Sequence, residues 1–128
     1  MSEGYSREGK GKMMDHQAET VVVRGSHAVR GERGEKLLVN GQHMAMRLWE
    51  HEPAGEKKPE HVNPYEYVAY VIKGALRITL HKHCFEVREG DSYCVPADTP
   101  YSMEILEEAT VVEATMPSDR GAVTIPEK

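Results

Sequence analysis

What most limits the fold of this chain is a succession of short apolar stretches between turn signals, none long or periodic enough for an amphipathic helix. "EKLLVNGQHMAMRLWEHEPAG", residues 35–55, reads as two strands hinged at Asn40-Gly41, a strong hairpin signal, and ended by Pro53 and Gly55. In the second of these strands Met44, Met46 and Leu48 alternate with Ala45, Arg47 and Trp49, the period of a half-buried strand. "EYVAYVIKGALRITL" is β-branched and apolar, and Lys73-Gly74 is expected to break it into two strands. His81 to His83 form a polar hairpin tip, and Gly90-Asp91 marks another turn. "YSMEIL" and "TVVEATMP" are expected as two strands joined by a solvated acidic turn at "EEA". With "TVVVRG" as a first strand, about nine or ten short strands are predicted, the pattern of a sandwich or barrel.

A length of 128 residues fits a single domain. Residues 1–18, "MSEGYSREGKGKMMDHQA", are polar and aperiodic and are expected to form a flexible tail carrying a solvated His16, with the folded domain over 19–128. A formal charge of −5 argues against nucleic acid as a partner, which needs a basic face. No apolar run approaches the roughly 18–20 residues that span a bilayer, so no membrane partner is expected. The first residues lack the apolar segment of a secretory signal, and the expected location is the cytoplasm. Cys84 and Cys94, the two cysteines, flank "EVREGDSY" on predicted strands; cross-strand proximity is open, and two free thiols is the reading.

Two spaced motifs carry more information than the periodicity. Gly55 is followed after five residues by His61-Val62-Asn63, then by Tyr67, and after six more residues by Gly74. Gly90 is followed after five residues by Pro96-Ala97-Asp98 and, two residues on, by Tyr101. In order and spacing these stretches resemble the two motifs of the cupin superfamily, over roughly residues 36–116. The resemblance implies an all-β, single-domain jelly-roll β-barrel, often a homodimer, with a ligand pocket inside.

In that family a metal is usually held by two histidines and a glutamate from the first motif and a histidine from the second. The four corresponding positions here are His61, Asn63, Tyr67 and Tyr101, so one of the usual ligands is present and three are replaced. An amide oxygen is a weak ligand for first-row divalent ions. A tyrosine must lose a proton first, which costs roughly 4 kcal/mol at neutral pH. No cofactor is therefore expected. Were a metal bound, His61 with Tyr67, Tyr101 or Glu66 would hold it, and ferric iron, which tyrosinate ligates, would suit that set. Strand alternation turns Glu66 away from the face of Tyr67 unless a bulge follows Pro64.

Without a metal, His61, Asn63, Tyr67 and Tyr101 offer an imidazole, an amide and two phenols to a small organic molecule in the barrel. His61 with Tyr67 or Tyr101 would form the acid–base pair of an isomerase- or lyase-type catalyst. The alternatives are a dioxygenase-like enzyme with an irregular ligand set and a non-catalytic sensor barrel whose polar groups satisfy one another. His51 shares parity with Arg47 and Trp49 and is a further candidate at the barrel mouth. His43, His81 and His83 are read as solvated. Arg47 and Arg77 would bind a ligand carboxylate if their strands turn them inward, which alternation alone leaves open.

Overall fold

The computed structural model describes residues 22–120; the expected tail over 1–18 and the chain after 120 lie outside them. Eight strands follow a 3-10 turn at Gly25–His27: β1 Val29–Arg30, β2 Lys36–Asn40, β3 Ala45–Glu52, β4 Lys57–His61, β5 Glu66–Leu80, β6 His83–Arg88, β7 Ser92–Val95 and β8 Tyr101–Met116. The described part of the expected first strand, Val22 to Arg24, is extended but unpaired. No described helix is long and apolar enough to cross a membrane.

All pairings are antiparallel, and β5 and β8 run through the whole barrel. The first half of β5 pairs with β7, and the second half pairs with β6. On its other edge β8 pairs with β4 through its first half and with β3 through its second. The two long strands thus join both walls of an all-β jelly-roll barrel.

Local turn chemistry places the hairpins. Gly41 donates its backbone N–H to Met44 O, closing the β2–β3 loop at the expected Asn40-Gly41 hinge. His81 and Lys82 take φ of +48° and +70°, a two-residue turn between β5 and β6 whose twist matches the strands. Both expected strand breaks are absent. β5 continues through Lys73-Gly74, and β8 continues through Glu107-Glu108, because the two strands pair with each other there, Lys73 with Thr110 and Ala75 with Glu107. The turn signals instead mark bulges, where the register shifts between Val71 and Leu76.

That shift reverses side-chain parity. Tyr67, Ala69 and Val71 point inward before it, and Leu76 and Ile78 after it, all of them in the buried core. Arg77 is therefore turned out of the barrel, where it pairs with Glu104 at 3.0 Å and Glu86 at 3.4 Å. On β3 the inward set is Ala45, Arg47 and Trp49, while Met46 joins Val68, Tyr70, Ile72 and Met116 as exposed apolar residues outside. Cys84 and Cys94 are free and exposed. Their partners on β5, Thr79 and Val68, lie eleven residues apart, about 35 Å along a strand, so they cannot pair.

Candidate functional site

The barrel encloses a cavity of about 450 Å³. Its floor is built in rows across the sheet. In one row Arg47 of β3, Glu113 of β8, Ala69 of β5 and Tyr93 of β7 stand side by side. Next to it, Trp49 and Val71 flank Val111. Ala69 is small, which leaves room for the Tyr93 ring. Leu76, Met103 and Ile105 make the walls apolar, and His61, Tyr67 and Tyr101 line the same space.

Arg47 and Glu113 are almost fully buried and bond directly, Arg47 Nε donating to Glu113 Oε1 at 2.5 Å. Arg47 Nη1 also donates to the Tyr65 hydroxyl at 2.9 Å and to Asp119 Oδ2 at 3.2 Å. The guanidinium lies among the Trp49, Tyr65 and Tyr67 rings, 5.3–5.7 Å from their centroids. Burial, the largest influence, works against its charge, but Glu113 and Tyr65 together more than offset it and raise the Arg47 pKa, so it stays cationic. Burial pushes the Glu113 carboxyl up, against the pull of Arg47. Among the described residues, two buried polar atoms close no hydrogen bond of ordinary geometry, Trp49 Nε1 and the Tyr93 hydroxyl. Trp49 nonetheless lies close enough to Glu113 to hold its pKa down, and Tyr67 does the same for Tyr93.

Three of the four motif positions bond to one another. His61 Nε2 lies 2.7 Å from Asn63 Oδ1, and Asn63 Nδ2 donates to the Tyr101 hydroxyl at 3.2 Å. Tyr67 meets Tyr101 and Tyr93 edge to face at 5.8 and 6.2 Å. Asn63 is held by its backbone as well: Asp98, in the left-handed region at φ +58°, donates its N–H to Asn63 O at 2.8 Å. The structure therefore brings His61, Asn63, Tyr67 and Tyr101 together.

Glu66 and His51 do not join them. Glu66 is exposed on the outer face, where Cys94 Sγ approaches it at 3.7 Å. No bulge follows Pro64 to turn it inward, since Glu66 and Tyr67 stay in register with Met116 and Thr115. His51 sits in the β3 bulge at φ +54°, exposed and bonded to Glu108 at 2.9 Å, outside the cavity. Arg47, Trp49, Tyr93 and Glu113 line the cavity, yet no motif marks them; only the inward parity of β3, β7 and β8 identifies them.

The residues at the family's metal positions do not fit a divalent metal. No group of three or more His, Cys, Asp or Glu side chains converges among the described residues. Nε2 of His61 is taken by Asn63. Burial, with Glu113 adding to it, raises the Tyr67 pKa well above its ordinary value of 10, and burial raises Tyr101 too, so both phenols hold their protons more tightly than a ligand should.

The same shifts predict an alkaline limit to stability. For groups whose folded pKa exceeds the unfolded one, the stabilisation is complete below the unfolded value and is lost as pH rises through the folded value. Tyr67, Tyr93 and Tyr101 all rise from 10, so stability should fall as pH climbs past 10. In an absorbance titration at the phenolate band, three of the six tyrosines should ionise only as the far-ultraviolet dichroism is lost. Smooth ionisation of all six in the folded protein would contradict these environments.

No curated protein matches this chain in sequence. Solved structures resemble it in fold. An RmlC-like cupin from Shewanella frigidimarina superposes with a TM-score of 0.67 at 16% identity, over 76% of this chain and 90% of that one. KdgF from Halomonas sp. gives 0.62 at 18% identity, over 75% and 91%. The cupin domain of Cnp3 from Schizosaccharomyces pombe gives 0.65 at 16% identity, over 84% and 85%. The model of the Cupin domain family matches residues 47–116, a span running from Arg47 to the end of β8 and containing both spaced motifs, and the chain belongs to the cupin family.

Proposed function

We propose that this protein binds a small organic molecule inside the barrel, with hydrogen-bonding groups at the positions where relatives of the family hold metal ligands. The observation that carries this reading is the cavity of about 450 Å³, with aromatic and aliphatic walls and polar groups gathered near His61. Size and lining match those of small-molecule sites. Acid–base chemistry of isomerase or lyase type would centre on His61, whose Nδ1 is left for proton exchange once Nε2 bonds Asn63. Tyr67 and Tyr101, kept protonated by their raised pKa values, would serve as hydrogen-bond donors to the ligand. The closed His61–Asn63–Tyr101 chain favours binding without turnover as the second reading.

The exposed face carrying Met46, Val68, Tyr70, Ile72 and Met116 has no charge among these five side chains. A second copy is the occupant we propose for it, since large apolar patches are seldom left bare and Glu66, beside Met116, is at the end of β5. Non-denaturing mass spectrometry tests both proposals. The expected species is a dimer carrying a small-molecule adduct, and Met103→Trp, which fills the cavity, should lose the adduct while keeping its circular dichroism. A monomer at micromolar concentration would overturn the dimer. No adduct after incubation with a cell metabolite extract, or an adduct retained by Met103→Trp, would overturn the binding site.

A further inference from the structure

We infer that the ligand is an apolar carboxylate whose acid group sits at the cavity mouth against Arg33, beside His61; this rests on the proposed binding cavity. The charges in the floor answer one another: Arg47 meets Glu113 and Asp119. In the wall, Lys58 Nζ bonds Glu52 at 2.8 Å and lies 4.0 Å from the Trp49 ring centroid. With Glu56 also 4.0 Å from Lys58, carboxylates outnumber cations among these groups, so nothing deep in the barrel calls for an anion, and the surfaces around them are aromatic or aliphatic.

The mouth differs. Arg33, in the turn between β1 and β2, lines the cavity and forms no ion pair among the described residues. Its Nη2 stands 3.4 Å from His61 Nε2. That nitrogen has a single hydrogen-bonding position, and Asn63 takes it at 2.7 Å, in either orientation of the amide. Arg33 therefore gains no good acceptor from His61. Arg33 is exposed and open to solvent, and an anionic acceptor satisfies its guanidinium better than water, through a two-pronged charge-assisted contact. Lys57 and Glu60 also line the rim, both exposed and of opposite sign, so they offset each other. The apolar depth takes the body of the molecule and the mouth takes its charge.

A matched probe pair tests this: 3-phenylpropionate and its uncharged amide, 3-phenylpropionamide, titrated against the full chain. Trp49, the only tryptophan, lines the cavity and reports binding by its fluorescence. The acid should bind about tenfold tighter than the amide, the scale of one charge-assisted contact. Arg33→Gln should abolish that preference by bringing the acid's affinity down to the amide's, with the fold kept, since Arg33 is a turn residue outside the core. Equal affinities in the parent, or an acid preference that survives in Arg33→Gln, would overturn the carboxylate assignment alone. Failure of both probes to bind the parent would remove the cavity reading and this inference with it.

Discussion

Gly74→Ala is expected to cost roughly 2–6 kcal/mol of folding stability, a large share of the ~5–15 kcal/mol typical of a domain. Two effects add. Gly74 has φ +92°, where a side chain is strained by about 1–3 kcal/mol. A Cβ there would also stand 2.6 Å from Ala109 Cα and collide with the Glu108 carbonyl oxygen. That backbone belongs to β8, which is paired on both edges and cannot retreat, so overpacking contributes a further ~1–3 kcal/mol. Gly90→Ala separates the two effects, because Gly90 has φ +91° with nothing within 4 Å of the added Cβ. Urea unfolding should show the Gly74 variant losing clearly more than the Gly90 variant. Equal losses would mean that the close crossing of β5 and β8 is not what requires glycine.

Arg47→Leu should destabilise by roughly 3–5 kcal/mol, because it strands the buried Glu113 without its cation, while Asp119 keeps Arg120 at 3.2 Å. Glu113→Leu should cost less, since Arg47 keeps Asp119 at 3.2 Å and the Tyr65 hydroxyl. The double variant should lose less than the sum of the two, with a coupling of roughly 1–3 kcal/mol in a double-mutant cycle. The pH dependence of Arg47→Leu follows from the direction of the Glu113 shift. Burial already raises that carboxyl above 4.5 while Arg47 pulls it down, and removing Arg47 lets it climb further. A raised carboxyl contributes stability that is complete below the unfolded pKa and lost as pH rises through the folded one. Arg47→Leu should therefore regain stability relative to the parent as pH falls toward 4.5. Additive losses, or a deficit that does not shrink on acidification, would show that the two charges are not coupled in the barrel.

Strands and turns were legible because they depend on neighbours in sequence. Asn40-Gly41 opens a hairpin, and His81-Lys82 forms a two-residue turn, as short-range chemistry predicts. The spaced motifs also predict the meeting of His61, Asn63, Tyr67 and Tyr101, since they place those residues on strands that converge in the fold. Local signals failed at Lys73-Gly74 and at Glu107-Glu108. There, the pairing of β5 with β8 overrides the propensity for a break and turns each signal into a bulge.

Composition and spacing by themselves determined the class of fold, the hairpins and four positions of the site. Tertiary structure decided which face of each strand looks inward, because a bulge shifts parity by one residue and its place depends on pairing between distant strands. That choice sends Arg77, Glu66 and His51 outward and sets Arg47 beside Glu113, sixty-six residues away in the chain. An ion pair of that separation has no signature along the sequence, since only the register of β3 against β8 brings its two charges to one row.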